Sequence, residues 1–413
     1  MEEILSRENM TLAYKKVKAN KGASGVDGIT TDEVQEYLKE NWASIKERIQ
    51  KRKYKPQPVL RVEIPKPAGG VRKLGIPSVV DRIIEQAIVQ VITPIVEPYF
   101  SDYSYGFRPG RRAQQAIIKL LEYLNDGFTY IVDIDLEKFF DNVPQDKLMT
   151  LVGEIVKDPD TESLISKYLK AGVMVKGKYE PTNEGTPQGG NLSPILSNIM
   201  LNELDKELEV RGLNFVRYAD DCIIAVGSSA AANRVMNSVT KWIERKLGLK
   251  VNMTKTRITK PSNLKYLGFG FVKMGDRWEA RPHQESVKNF ERKLKKLTKR
   301  SWSISMDERI QRLNWVIRGW INYFRIGKMK NNLIRIDGHL RTRMRIVIWK
   351  QWKTSKKRWW GLRKLGVPEW MVKQSVGFAN HYQAVAKTTG LHKISKEILA
   401  KRGLISCVDY YLN

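Results

Sequence analysis

Phe215-Val216-Arg217-Tyr218-Ala219-Asp220-Asp221-Cys222-Ile223-Ile224-Ala225-Val226 sets two adjacent carboxylates between two runs of strand-forming residues. Valine, isoleucine, phenylalanine and tyrosine suit a pleated, half-buried surface, so the stretch predicts a β-hairpin with Asp220 and Asp221 at its tip. Two neighbouring carboxylates repel each other, and beside an apolar core they are costly unless a cation compensates them. Taken alone, an Asp-Asp pair is an ordinary solvated turn. The rest of the chain has to decide between a turn and a cation site.

A second acidic strand lies about 85 positions upstream. Tyr130-Ile131-Val132-Asp133-Ile134-Asp135-Leu136 predicts a short buried strand ending in acid, followed by a turn and helix through Phe139 and Phe140. A carboxylate in such a place points to a metal. Between the two acidic strands lies Gly185-Thr186-Pro187-Gln188-Gly189-Gly190-Asn191-Leu192-Ser193-Pro194. Its glycines let backbone lie flat against a ligand. Ser193 is expected as N-cap and Pro194 as first residue of a helix reaching Val210. A plain loop before a capped helix fits the same residues.

Nearer the N-terminus, alternating apolar residues in 59–67 and 71–77 around Ala68-Gly69-Gly70 spell another hairpin, with Lys66 and Arg72 near its tip. An ammonium and a guanidinium there suit a triphosphate, though an exposed basic hairpin reads the same way. Tyr105-Gly106-Phe107-Arg108-Pro109-Gly110-Arg111-Arg112 is a basic, aromatic loop in which Arg108 and Arg111 are candidates for nucleic-acid contact. Asn20-Lys21-Gly22-Ala23-Ser24-Gly25-Val26-Asp27-Gly28 is either a connector or a close approach to a phosphate or base. Helices are expected over 2–19, 32–51, 81–96, 113–124 and 230–247.

Charge identifies the class of partner. The chain has 413 residues, 73 Lys+Arg against 44 Asp+Glu, and a formal net charge of +29. Such an excess repels itself unless a polyanion sits against it, and nucleic acid is the first candidate. Beyond residue 280 about 31 basic residues face about 8 acidic ones, roughly +23. Eight of the 11 Trp also lie there. This third predicts basic helices over 285–300, 307–324 and 331–352, a basic connector over 353–364 and a small final module. Arg325, Lys328 and Arg341 are its candidate nucleic-acid contacts. The aromatic stripe Trp315, Trp320 and Tyr323 is expected to be core rather than a ligand platform.

Other classes fit poorly. Two Cys and four scattered His make neither a disulfide framework nor a zinc site. No apolar run approaches the ~18 residues of a membrane span, and the start lacks the pattern of a signal peptide. A reducing cytoplasm is the expected setting.

The order is now specific: hairpin with Lys66 and Arg72, strand ending at Asp135, glycine loop with Gln188, hairpin with Asp220 and Asp221, then Lys255. It resembles that of a reverse transcriptase over about residues 20–280, with Tyr218-Ala219-Asp220-Asp221 similar to the family's Tyr-x-Asp-Asp signature. The resemblance implies a right-hand polymerase of the α+β class: fingers with an N-terminal extension (1–125), a palm with an antiparallel sheet (126–281), an α-helical thumb (282–352) and a small basic DNA-binding module (353–413). It implies that Asp135, Asp220 and Asp221, with Leu136 in the same metal set, hold two Mg2+ ions about 3.5–4 Å apart, Mn2+ being a substitute. Lys66 and Arg72 would grip a dNTP, Gln188 would lie beside the nascent pair, and Lys255 would protonate pyrophosphate. Phe140, five residues after Asp135, matches a steric gate against the ribose 2′-hydroxyl. Phe139 could face the nucleotide instead.

The flanks narrow the resemblance. The 20–28 segment is similar to the N-terminal extension of group II intron enzymes, and Arg318-Gly319-Trp320-Ile321-Asn322-Tyr323-Phe324-Arg325 to their maturase signature. With no Cys/His cluster to suggest an HNH endonuclease, the chain resembles the compact group IIC type. Implied partners are the intron RNA, an RNA template–DNA primer duplex, target DNA and dNTPs, with no membrane. The implied setting is a bacterial nucleoid-associated ribonucleoprotein, with the protein a monomer on its RNA. Two rival readings are a splicing cofactor with an idle polymerase site, and an RNA-dependent RNA polymerase; Phe140 speaks against the second.

Overall fold

The acidic hairpin forms as its residue pattern requires. Strands β6 (Asn214–Tyr218) and β7 (Asp221–Val226) pair antiparallel, Tyr218 opposite Asp221, joined by Ala219 and Asp220. Asp220 is thus in the turn, while Asp221 is the first residue of a strand. The computed structural model describes residues 1–65, 69–187 and 189–413, so Lys66 and Gln188 lie outside the described residues. The chain divides into two compact units, Met1–Lys260 and Pro261–Asn413.

In the first unit, β3 (Tyr130–Ile134) pairs antiparallel with β7 on one side and with β8 (Arg257–Thr259) on the other, giving the order β6-β7-β3-β8. Ile131, Val132, Phe215, Ile223 and Ile224 are almost wholly buried. Burying each such side chain contributes roughly 1.5–3 kcal/mol. That apolar load holds the register that brings the two acidic strand ends side by side.

Helices cover the sheet and extend the unit. They are α1 (Arg7–Ala19), α2 (Val34–Gln50), α3 (Val79–Val96), α4 (Ala113–Asn125), the short α5 (Phe139–Asn142), α6 (Gln145–Val156), α7 (Pro159–Leu169), α8 (Ser193–Val210) and α9 (Ser229–Trp242). One core, from Ile4 to Val251, takes side chains from all of them except α4, which packs on β6 and β7. A second sheet, β2-β1-β4-β5, contains the basic hairpin, β1 (Val59–Pro65) with β2 (Val71–Ile76), and the short strands β4 (Val173–Val175) and β5 (Lys178–Glu180).

Three local expectations need correction. The first helix starts at Arg7 rather than residue 2, because the Ser6 hydroxyl accepts the Asn9 N–H at 3.3 Å and so caps it. Ser193 does not cap α8: Leu192 holds that position, and the Ser193 hydroxyl donates to the Pro187 carbonyl at 2.6 Å. The expected connector over 353–364 contains a helix, α13 (Ser355–Lys364), capped by Thr354.

The second unit begins with a small sheet: β9 (Lys265–Tyr266), β10 (Phe269–Met274) and β11 (Arg277–Pro282). Helices α10 (Gln284–Leu297), α11 (Met306–Phe324) and α12 (Lys330–Gln351) follow. Phe290 and Trp320 stack with ring centroids 4.4 Å apart, so the half-buried Trp320 packs against the core, whereas Trp315 and Tyr323, expected in the same buried stripe, are exposed. Beyond α13 lie α14 (Glu369–Gly377), α15 (Tyr382–Val385), α16 (Thr389–His392), α17 (Lys396–Lys401) and α18 (Cys407–Leu412). The buried Asp337 carboxylate fastens the chain end to α12 by accepting the Cys407 and Val408 N–H groups at 2.8 and 3.0 Å. Among the described residues no helix is long and apolar enough to cross a membrane.

Candidate active site

Asp135 follows directly on β3, and its backbone is held from one side only. Its N–H donates to Thr256 Oγ1 at 3.1 Å, and its carbonyl accepts the Asn252 N–H at 2.8 Å. Leu136 makes an isolated bridge with Val251. Lys255, in the same segment, brings Nζ to 3.5 Å from Asp135 Oδ2. The candidate metal-set residue and the candidate proton donor are therefore joined by local geometry.

The carboxylates press on one another. Asp221 is exposed as a residue, yet its carboxyl is desolvated and repelled by Asp220, Asp133 and Asp135, which pushes its pKa up to about 6. Burial also raises Asp220, with a further push from Asp135, while Arg72 opposes the shift. Asp133, two residues before Asp135 and so on the same side of the strand, forms an ion pair with Arg257 at 3.3 Å. Sequence reading passed it over, although the period-2 spacing was the available signal. The donor set is all oxygen, which suits a hard divalent cation. As placed, however, no group of three or more His, Cys, Asp or Glu among the described residues converges closely enough to hold one.

A cavity of about 420 Å³ opens beside the turn, lined by Arg72, Phe107, Phe140, Gly189, Pro194 and Asp220, among others. Five separate segments thus meet around one space. Phe140 faces it, while Phe139 is buried with its ring 5.2 Å from that of Phe140. Gly189 has φ +126°, and a Cβ there would overlap the Gly75 carbonyl, so only glycine lets this loop lie against β2. Glu85 of α3 holds the same loop by accepting the Asn191 N–H at 2.6 Å. Its burial, opposed by that hydrogen bond, pushes its pKa up to about 8.

The acidic turn rests on a buried ion pair. Arg217 and Asp205 have no exposed side-chain surface and meet in two contacts, 2.7 Å at Nε and 2.5 Å at Nη2. Arg217 Nη1 also donates to the Ala219 carbonyl at 2.8 Å and to Asn198 Oδ1 at 3.1 Å. Asn198 in turn donates to the Gly106 carbonyl at 2.8 Å. A Cβ on Gly106 would collide with the Ala219 backbone. Ala219 itself is at φ +56°, a left-handed conformation that this bracing stabilises.

The remaining sequence candidates separate. Arg108 has a structural role: its buried guanidinium donates to Glu97, to the Ser101 carbonyl and to the Ser104 carbonyl at 2.7 Å, so its hydrogen bonds are made within the chain. Arg111 is partly exposed and pairs with Asp102 at 2.7 Å. In the second unit, Arg325 is exposed and donates to the Tyr410 carbonyl at 3.0 Å. Lys328 is exposed, 3.5 Å from Glu279, and Arg341 is half-buried. Phe107, Asp133, Asp205 and Arg217 are the residues that reading the sequence left without a role.

Comparison with known proteins fits this arrangement. Residues 64–271 match the family described as reverse transcriptase (RNA-dependent DNA polymerase), and residues 287–366 match the group II intron, maturase-specific domain. Protein YkfC of Escherichia coli is 32% identical, covering 66% of this chain and 81% of that protein. The putative COX1/OXI3 intron 2 protein of Saccharomyces cerevisiae is 31% identical over 67% of this chain. The group II intron-encoded protein LtrA of Lactococcus lactis is 37% identical over 47% of it. This chain spans only 39% and 32% of the length of those last two. A solved Cas6-RT-Cas1–Cas2 complex chain aligns over 59% of this chain and 42% of its own at 23% identity and a TM-score of 0.37, too loose to bear on the fold. The match to the polymerase model, followed by the maturase match, places this chain in the reverse transcriptase family, in the branch that carries a group II intron maturase-specific domain.

Proposed function

We propose that this protein copies RNA into DNA and also binds a group II intron RNA, assisting its splicing and its retrohoming into target DNA. The observation that carries the polymerase part is the cavity in which Arg72, Phe140 and Asp220 meet beside the end of β3. We read 1–125 as fingers, 126–281 as palm, 282–352 as thumb and 353–413 as a DNA-binding module, working in a nucleoid-associated ribonucleoprotein.

In this reading the exposed Arg72 guanidinium chelates triphosphate oxygens. The roles that the sequence resemblance gives Lys66, on the triphosphate, and Gln188, at the nascent pair, belong to the same reading and rest on the sequence alone. The Phe140 ring fills the space a ribose 2′-hydroxyl would need, favouring dNTP. Asp135, Asp220 and Asp221, with Leu136 beside them, would hold Mg2+, or Mn2+ in its place; burial first, and neighbouring carboxylates second, raise the pKa values of Asp220 and Asp221, and a divalent cation would offset both. Bound there, such ions supply charge neutralisation at the reacting phosphate. Lys255, 3.5 Å from Asp135, would deliver a proton to pyrophosphate. Arg111, Arg325, Lys328 and Arg341 would meet nucleic-acid phosphate.

Primer extension on an RNA template tests the reading. Wild-type protein should incorporate dNTP well above rNTP, Phe140→Ala should narrow that preference, and Asp220→Ala should abolish extension. Undiminished extension by Asp220→Ala would remove the acidic turn from the mechanism. Absence of extension by the wild type, with intron binding intact, would favour the idle-site alternative.

A further inference from the structure

The second unit holds a groove of about 690 Å³ between α10 and α12, closed at one end by the 382–387 segment. Two helical stripes form it. Lys288, Arg292 and Lys295 recur along one face of α10, and Ile336, Leu340 and Arg343 along one face of α12. Leu294, Ile336 and Leu340 make an apolar floor. Lys288, Arg292, Lys295 and Lys387 stand exposed around the rim, and among the described residues none is in ion-pair distance of a carboxylate. Glu291, the one acid in the lining, is neutralised by Arg335 at 2.6 Å. Arg343 is pinned as a wall by donating to Thr298 Oγ1 at 2.6 Å.

Neither half of this surface is explained by the other. Free cations do not need an apolar floor, and an apolar floor alone would not gather cations. A nucleotide satisfies both, with a flat base to bury and phosphates on either side. The α10 cations span seven residues, about 10 Å, which accommodates the phosphates flanking one nucleotide. A base that is still paired and stacked in a duplex has no free face to lay on that floor, so the base must be unstacked. Exposed His339 and Gln383 at the mouth offer hydrogen bonds to a base edge.

We propose that this groove takes one unpaired nucleotide of a bound RNA, its base over Leu294, Ile336 and Leu340 and its phosphates on the rim lysines and Arg292. The proposal rests on the RNA-binding reading above and adds to it a site and a preference for bulged over continuous duplex.

Binding of the full chain to two RNA hairpins tests it. They are identical except that one carries a single bulged 2-aminopurine. The bulged hairpin should bind about tenfold more tightly, and its fluorescence should change on binding. Gln383→Trp, which fills the mouth without altering charge, should bring the affinity ratio close to one, with measurable binding to the perfect hairpin showing that the fold survives. Equal affinity of wild-type protein for both hairpins would overturn the groove but leave RNA binding standing. So would a preference unchanged in Gln383→Trp, or competition by free AMP or poly-glutamate as effective as by bulged RNA. Failure to bind either hairpin would overturn the RNA-binding reading itself.

Discussion

Arg217 shows how much of the acidic turn depends on a residue that touches no substrate. Its guanidinium joins Asp205, Asn198 and the Ala219 carbonyl in a space without solvent. Removing one partner from a buried pair leaves the other charge uncompensated, at a cost of ~3–5 kcal/mol. Asp205→Ala should therefore lower stability by about that amount in urea unfolding. The paired replacement Arg217→Met with Asp205→Leu should recover most of the loss. A loss below about 1 kcal/mol for Asp205→Ala would mean that water reaches the pair.

At the scale of elements, the loop after Gly185 depends on α3 through Glu85. The folded chain keeps this carboxyl protonated up to about 8, whereas an unfolded chain releases its proton near 4.5. The group's stabilising contribution is present below 4.5 and is lost as pH rises toward 8. Stability should thus fall across that window, and Glu85→Gln should flatten the fall in thermal unfolding measured from pH 5 to pH 8. An unchanged slope would show that Glu85 is already ionised in the folded chain. Other element-level features were partly legible. Alternation placed β3, β6 and β7, and helical spacing placed α8, α10, α11 and α12. The N-cap at Ser6, the uncapped start of α8 at Leu192 and the helix α13 were missed, because boundaries are decided by which partner each hydroxyl finds: Ser193 spends its own on the Pro187 carbonyl.

For the whole molecule, charge is the dominant quantity. Most of the +29 lies beyond residue 280. Affinity for RNA should therefore fall steeply with salt, by about 0.7–0.9 in log–log slope per phosphate neutralised. Asp220→Ala should keep that slope unchanged in a filter-binding salt series, since its change lies in the acidic turn. A flat salt response in the wild type would contradict phosphate contact by the basic helices.

The sequence alone determined β3, the hairpins β1–β2 and β6–β7, the basic third and the spacing of Asp135, Asp220 and Asp221, because periodicity and composition are local properties. Which aromatic faces the cavity was decided only in three dimensions: Phe139 and Phe140 are chemically equivalent, and packing buries one and leaves the other against Arg72 and Asp220. The same holds for Arg108 and Arg217, both basic in sequence. Each is turned inward because a carboxylate and backbone carbonyls, contributed from elsewhere in the chain, replace the water that a guanidinium gives up on burial.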